Sequence, residues 1–230
     1  MTTAKKQLFV ISLGGSLINP GSVDTKFLQN FRKIVLSQIK KGNRFILIAG
    51  GGEICRHYQQ ALKSITKPTN DELDWLGIYS TRFNARLVQL MFGKLAHSEL
   101  VEDPNKKVNF KEKILVAGGW MPGRSTDDDA VRLAKLYGAK TIINLSNIDF
   151  VYTKDPKKYK DAKKISAISW KNFRKIVGNR WHPGKNLPFD PTAAKLAERL
   201  KLKVIIANGK NLENMENIFG NKIFLGTVIE

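Results

Sequence analysis

The chain has 230 residues, and 39 Lys plus Arg against 20 Asp plus Glu give it a formal net charge of +19. Hydrophobic residues at 42% and charged residues at 26% form an ordinary globular balance, which excludes a disordered chain and leaves ample material for a core. The single cysteine excludes an internal disulfide framework, and no apolar run approaches the roughly 20 residues of a membrane helix.

The start, Met1 to Gln7, is polar and has no apolar h-region, so no signal peptide is expected and the reading is a soluble, cytoplasmic protein with no membrane partner. The surplus of positive charge suits polyanionic partners or phosphorylated small molecules. Its lysines are scattered, however. The densest stretch, Lys157, Lys158, Lys160, Lys163 and Lys164, is broken by Asp161. With no RNA-recognition signature and no zinc-finger spacing, this reads as a solvated lysine-rich surface rather than a nucleic-acid interface.

In chain order, Leu8 to Leu13 is a short apolar run stopped by Gly14 and Gly15, which predicts a buried strand. Asp24 to Lys41 carries Phe27, Leu28, Phe31, Ile34, Val35 and Ile39 at helical spacing, with Gly42 as the stop. Arg44 to Ala49 is a second strand, ended by Gly50, Gly51 and Gly52, and a helix follows from about Glu53. A longer helical stretch runs from about Glu72 to His97, and the polar segment Pro104 to Lys113 reads as a loop. Ile114 to Ala117 is a third strand ended by Gly118 and Gly119; Thr126 to Tyr137 is helical, and Lys140 to Leu145 is a strand. Asp190 and Pro191 make a helix start, with Asp as N-cap and Pro at the first helical position. That helix runs to about Leu200 and is followed by a strand, Lys203 to Ala207, and one or two short edge strands within Lys222 to Ile229.

Strands alternate with helices and are apolar on both faces, which predicts an α/β fold with a mostly parallel central sheet covered by helices. Ligands of such sheets bind at the carboxyl ends of the strands. Three strands end there in glycine clusters: Ser12 to Ser16, Ala49 to Glu53, and Ala117 to Trp120. Glycine permits tight turns, and it also lets backbone N–H groups approach an anion, most favourably where a helix begins. Three such turns at one edge point to phosphate. None fits the Walker A or G-x-G-x-x-G spacing. Arg56 stands one helical turn past Gly52 and suits either a phosphate grip or a surface ion pair.

These segments resemble the amino-acid kinase superfamily, and within it the archaeal-type uridylate (UMP) kinases. SLGGSL resembles the first phosphate turn, and AGGGEICRHY the acceptor-side GGG turn with its arginine. DWLGIYSTRFNARL, Asp74 to Leu87, resembles D-x-x-G-I-x-x-T-R-x-N-A. GGWMPGRSTD, Gly118 to Asp127, resembles GG-x-x-PG-[HQ]-[ST]-TD. SNIDFVYTKDPKK resembles T-N-V-D-G-V-Y-x-x-D-P-[KR]-K, and FDPTAAKLAERL the late I-D-P-x-A-A-K helix. The matches run in order from about Phe9 to Ile229.

The resemblance implies a three-layer αβα sandwich in one domain, with an acceptor half of about 1–125 and an ATP half of about 126–230. It implies transfer of the ATP γ-phosphoryl group to UMP, with Mg²⁺ on the ATP phosphates. ATP is then expected at Gly15, Ser16, Gly52, Arg56, Ser146, Asn147, Tyr152 and Asp155. UMP is expected at Gly51, at Asp74 through its ribose hydroxyls, and at the loop Trp120, Met121, Pro122, Gly123, Arg124, Ser125 and Thr126. Asp127 and Asp190 are the expected catalytic pair, although each also suits a helix start. Relatives of this kind assemble as homohexamers, so a homo-oligomer is implied. Exposed apolar residues between Trp75 and Leu95 are one candidate for its face, with core burial as the alternative. Cys55 reads as a small buried residue, and His57, His97 and His182 show no metal spacing.

The chain departs from the family pattern at four places. Ser12 stands where many members carry a lysine that meets the transferring phosphoryl group; Arg124, Lys154 or an N-terminal lysine is the expected substitute cation. Phe150 replaces a glycine, Arg124 replaces His or Gln, and Asp128 with Asp129 replace small apolar residues. A non-catalytic nucleotide-binding protein and a kinase of another small acceptor are the competing readings.

Overall fold

The computed structural model describes residues 6–178 and 187–230. His182 lies outside the described residues, and so does Lys5, one of the N-terminal lysines considered as a substitute cation. Five parallel strands form the body of the central sheet: β1 (Leu8–Leu13), β2 (Arg44–Ala49), β3 (Ile114–Ala117), β4 (Thr141–Ser146) and β8 (Lys203–Asn208). Two short strands complete its seven, in the order β3-β2-β1-β4-β8-β9-β7: β9 (Thr227–Ile229), antiparallel to β8, and β7 (Ala167–Ile168). The C-terminal strand was expected at an edge. It lies instead between β8 and β7, because Ala167 and Ile168 take up its free side. A separate hairpin pairs β5 (Val151–Tyr152) with β6 (Lys164–Ile165).

Helices cover both faces, as apolar strands require. On one face lie α1 (Gly15–Ile18), α2 (Thr25–Lys40), α4 (Asn70–Phe92) and α8 (Leu212–Phe219), closing over Phe9, Phe31, Phe45 and Phe219. On the other lie α5 (Thr126–Tyr137), α6 (Trp170–Val177) and α7 (Pro191–Arg199), closing over Trp170, Phe173 and Phe189. α3 (Gly52–Ile65) buries no residue fully and rides on the outside. The short elements α1, β5, β6, β7, α6 and α8 escape the periodicity analysis because two to eight residues carry too few repeats of either period.

The helix starts follow local chemistry. Asp24 accepts the Phe27 N–H (2.9 Å), and Thr69 with Glu72 forms a reciprocal capping box that starts α4 two residues earlier than its apolar pattern suggests. Asp190 accepts the Thr192 and Ala193 N–H groups. Among the described residues, no helix is long and apolar enough to cross a membrane.

Candidate active site

The three glycine turns meet at the carboxyl edge of the sheet. The first two touch backbone to backbone: a Cβ on Gly15 would overlap the amide nitrogen of Gly52, and one on Gly52 would come within 2.6 Å of the Gly15 carbonyl oxygen. Gly52 also needs its positive φ of 72° to turn the chain from β2 into α3. Gly14 donates its N–H to the Leu145 carbonyl (2.8 Å), which brings the first turn beside Ser146 at the end of β4. Gly15 and Ser16 occupy the first turn of α1 and Gly52 that of α3, where N–H groups lack intrahelical acceptors.

A single helix, α4, holds these turns in place. Asn84, 2% exposed, donates to the carbonyls of both Gly50 (2.8 Å) and Gly51 (3.0 Å). Thr81 accepts the Gly119 N–H (2.6 Å) and donates its own hydroxyl to the Ile78 carbonyl (2.6 Å). Arg82 donates to the carbonyls of Gly119 (3.1 Å) and Trp120 (3.2 Å) and pairs with Glu102 (2.8 Å). With these carbonyls turned into α4, the planar peptides of the second turn must aim their N–H groups the other way. Sequence reasoning gave roles to Asp74 and the glycines and missed Thr81, Arg82 and Asn84. The three-residue spacing of Thr81 and Asn84, about one helical turn, was the available signal.

Asp74 lies on the same helix and is half-buried. It accepts the Gly123 N–H (2.8 Å), latching the loop from Trp120 to Thr126 onto α4, and burial raises its pKa. In that loop Met121 is exposed, Gly123 has a φ of 75°, and Arg124 donates its N–H to the Met121 carbonyl (3.3 Å). Trp120, Pro122 and Thr126 are half-buried, and Ser125 caps α5 by accepting the Asp128 N–H (3.3 Å).

Asp127 and Asp190 come together. Ser12 on β1 and Asn144 on β4 are register partners, so both side chains leave the sheet toward the start of α5. Ser12 donates its hydroxyl to Asp127 Oδ1 (3.2 Å), and Asn144 donates its amide to the same oxygen (3.0 Å). The backbone N–H of Asp190 donates to Asp127 Oδ2 (3.1 Å). Burial and the neighbouring Asp190 push the Asp127 pKa up to about 7, against the pull of these three donors. Burial also raises Asp190, whose N-cap donors and Ser125 partly offset it. Position 12, where the resemblance implied a lysine, thus holds a buried neutral hydroxyl. Asn144, unforeseen from the sequence, is visible only in the pairing of β1 with β4.

The expected substitute cations are placed as follows. Lys154 pairs with Asp161 (2.8 Å) on the hairpin. Lys6 packs along Gly42 at the amino end of β1, about 20 Å of strand from Ser12. Arg124 is half-buried in the loop from Trp120 to Thr126. Arg56 is exposed and donates through Nε to Glu53 (2.9 Å), which lowers the Glu53 pKa. Ser146 closes β4 and is half-buried, Asn147 and Asp155 are exposed, and Tyr152 lies in β5. Asp155 accepts the Lys157 N–H (3.0 Å), and Phe150 packs under the Lys164 ammonium, 5.4 Å from the ring centroid. The structure therefore gathers Gly15, Ser16, Gly51, Gly52, Ser146, Asp127 and Asp190 at one edge. Tyr152 and Asp155 stand on the hairpin, without a hydrogen bond to the turns among the described residues. Cys55 is half-buried, with its thiol pKa raised by burial. His57 is exposed beside Glu53, and His97 faces Glu112 (3.3 Å).

The profile of the amino acid kinase family matches residues 7–208. A uridylate kinase of Thermoplasma volcanium is 37% identical over 225 residues, covering 96% of both chains. A uridylate kinase of Sulfolobus acidocaldarius is 30% identical over 207 residues, covering 88% of this chain and 90% of its own. The crystal structure of uridylate kinase from Archaeoglobus fulgidus superimposes with a TM-score of 0.82 at 30% identity, over 98% of this chain and all of that one. The family profile over residues 7–208, the identity along nearly the whole length and the shared fold agree: this chain belongs to the amino acid kinase family.

Proposed function

We propose that the protein is an ATP-dependent UMP kinase, transferring the γ-phosphoryl group of ATP to UMP to give ADP and UDP. The observation that carries this reading is the back-to-back packing of the Gly15 and Gly52 turns. Two helix starts touch backbone to backbone, and helix starts suit anions, as two phosphate-bearing substrates meeting end to end require. Likeness to uridylate kinases over almost the full length selects the acceptor.

Phosphoryl transfer asks a protein for positioning and charge neutralisation more than for covalent chemistry. UMP is assigned to the Gly51 turn, with Asp74 accepting from the ribose hydroxyls while one of its oxygens holds Gly123 and so draws the loop from Trp120 to Thr126 around the nucleotide. ATP is assigned to Gly15, Ser16, Gly52 and Arg56 for its phosphates, and to Ser146, Asn147, Tyr152 and Asp155 for its nucleoside. The half that holds the acceptor is assigned to about 1–125, with the ATP phosphates at its edge, and the half that holds the ATP nucleoside to about 126–230, both on one sheet through the β1–β4 pairing. Asp127 and Asp190 face the point where the phosphates meet. Oriented by Ser12, Asn144 and the Asp190 amide, Asp127 holds or releases a proton near neutral pH without moving. Mg²⁺ fits here as a companion of ATP: among the described residues no cluster of three His, Cys, Asp or Glu forms a cage, and Mg²⁺ ordinarily takes one or two carboxylates plus substrate phosphates. Bound there, it neutralises phosphate charge.

Self-association uses α4. Its inner face buries Ile78, Ala85, Val88 and Phe92. Its outer face exposes Trp75, Tyr79, Phe83, Leu87 and Leu90 at three- and four-residue spacing, with Phe83 at 70% and Leu90 at 68%. An exposed apolar stripe of this kind supports a homo-oligomer interface, and a homohexamer or a smaller homo-oligomer is the assembly assigned. A cytoplasmic setting accords with the single free thiol.

ADP release with Mg-ATP and UMP, CMP, AMP, GMP or no acceptor tests the assignment. Release dependent on UMP is expected. Equal release with all acceptors overturns the UMP assignment, and saturable binding without release overturns catalysis in favour of a nucleotide sensor.

A further inference from the structure

Asp128 and Asp129, where the resemblance implied small apolar residues, lie in the first turn of α5 and are each 1% exposed. Asp128 Oδ2 accepts from Arg132 Nε (2.6 Å), but Asp128 Oδ1 and both Asp129 oxygens have no full hydrogen-bond partner among the described residues. Burial, with the neighbouring Asp128, holds the Asp129 pKa well above the usual carboxylate range. Buried polar atoms without partners cost stability, and the helix start offsets only part of that cost. A small apolar residue would pack at either position without it.

Both acids lead to one residue, Trp120, at the start of the loop that runs to Thr126. Arg132, held by Asp128 one turn back along α5, lies over the Trp120 ring at 5.1 Å from its centroid. Arg132 Nη1 also donates to Asn105 Oδ1 (3.2 Å), so two partners fix the plane of its guanidinium. The Trp120 backbone N–H lies within reach of the Asp129 carboxyl and favours its charged form. The Trp120 carbonyl accepts from Arg82 of α4 (3.2 Å). The ring and N–H of Trp120 are thus set by α5 and its carbonyl by α4, three residues before the Gly123 latch to Asp74 (2.8 Å). A guanidinium over an indole gains most where water is partly excluded, and both partners here are half-buried.

We infer that Asp128, Asp129 and Arg132 are positioning residues of the acceptor site: through Trp120 they set the loop assigned to UMP, and they strengthen acceptor binding at a cost in folding stability. The inference rests on the UMP kinase reading above. Asp128 and Asp129 are too deeply buried to meet a substrate themselves, so the brace acts by way of Trp120. A loop already held at its first residue loses less entropy when it closes around a nucleotide. Drawing Trp120 toward α5 on closure completes the hydrogen bond to Asp129, so the burial cost carried by the free protein is recovered in the complex. The affinity for UMP therefore depends on the brace, and the chemical step, at Asp127 and Asp190, does not.

The test is calorimetric titration of the full chain with UMP, beside thermal melting and initial rates with UMP and ATP varied in turn. Asp129→Ala is expected to raise the melting temperature, because an orphaned carboxyl is removed, and yet to weaken UMP binding about fivefold. Its KM for UMP rises alike, while its KM for ATP changes less than about twofold. A merely structural residue would move stability and affinity in the same direction. Arg132→Met also weakens UMP binding about fivefold, and Arg132→Lys, which keeps the charge without the planar fork, recovers only part of it. Lys135→Met, exposed on the same helix, leaves both KM values as they are. Because Arg132 acts through the indole, in a Trp120→Leu background the further loss from Arg132→Met falls below about twofold. Equal rises in both KM values, unaltered UMP affinity in Asp129→Ala and Arg132→Met, or full additivity of Arg132→Met with Trp120→Leu overturns the proposal. A lowered melting temperature in Asp129→Ala overturns the stability cost assigned to that carboxyl. UMP affinity that follows these variants in a chain releasing no ADP overturns the kinase reading and leaves the brace standing.

Discussion

On the acceptor side of the sheet edge, Gly50, Gly51 and Gly119 are each gripped by a buried side chain of α4, and Asp74 of the same helix latches the loop at Gly123. On the side assigned to the ATP nucleoside, Tyr152 lies in a hairpin with two-residue strands and Asp155 in its mostly exposed connection. Hydrogen bonds shielded from water are costly to break, whereas exposed ones exchange readily with solvent. The Gly50, Gly51 and Gly119 turns are therefore pre-formed, whereas the hairpin, like the exposed Asp74–Gly123 latch, is free to adjust to its nucleotide. Asp127, held by Ser12 from β1, Asn144 from β4 and the Asp190 amide, is where the two sides join.

The comparison breaks most completely at Gly15. In Gly15→Ala the new methyl group meets backbone of the Gly52 turn, which has no flexible end to give way. Overpacking of this kind costs about 1–3 kcal/mol or more, and phosphoryl transfer is expected to fall at least a hundredfold, read by ADP release beside thermal melting. Retention of wild-type melting and rate would show that the two turns are not in contact.

Asn84→Leu comes next. It strands two buried carbonyls at about 1–3 kcal/mol each, so the melting temperature drops by several degrees, at about 2–4 °C per kcal/mol for a chain of this size. The KM for UMP rises at least fivefold while the KM for ATP changes less than twofold; an equal rise in both would dissolve the distinction between the sides.

The junction has a pH signature. Asp127 titrates at about 7 in the folded chain, far above an unfolded aspartate, so between about pH 4 and pH 7 the folded state holds the extra proton. Its contribution to stability is therefore full at low pH and is lost as pH rises through 7. The raised pKa of Asp190 acts in the same direction. Melting of the unliganded protein is expected to weaken from pH 5.5 to pH 8. In Asp127→Asn, which removes that titration, the decline is shallower by about 2 °C or more. An identical slope in the variant would remove Asp127 from the account.

The smallest effect falls on the hairpin. Asp155→Ala alters an exposed side chain, so stability moves by less than about 0.5 kcal/mol. The KM for ATP rises two- to fivefold with the KM for UMP unmoved, measured by initial rates with each substrate varied. A loss of several degrees on melting would mean that the hairpin is as rigid as the acceptor side.

Much of this architecture is legible in the chain itself. Leu8–Leu13, Arg44–Ala49 and Ile114–Ala117 are short apolar runs stopped by glycine, and their limits in the structure are those of the pattern. Asp190 followed by Pro191 announces the start of α7. The placement of phosphate-suited turns at one sheet edge follows from strand direction alone. Less legible was α4, which is apolar on two faces. Periodicity reports that a face is apolar without saying whether core or solvent lies against it, so Ala85 and Leu90 read alike although one is fully buried and the other 68% exposed.

Local pattern was enough for the elements, the parallel sheet and the glycine turns, because strand alternation, helix caps and glycine stops act over a few residues. The partners of Asp127, the grip of Asn84 on the second turn and that of Arg82 on Trp120 came only with the folded chain. Each joins residues tens of positions apart, and their contact depends on strand register and helix packing that no short stretch of sequence encodes.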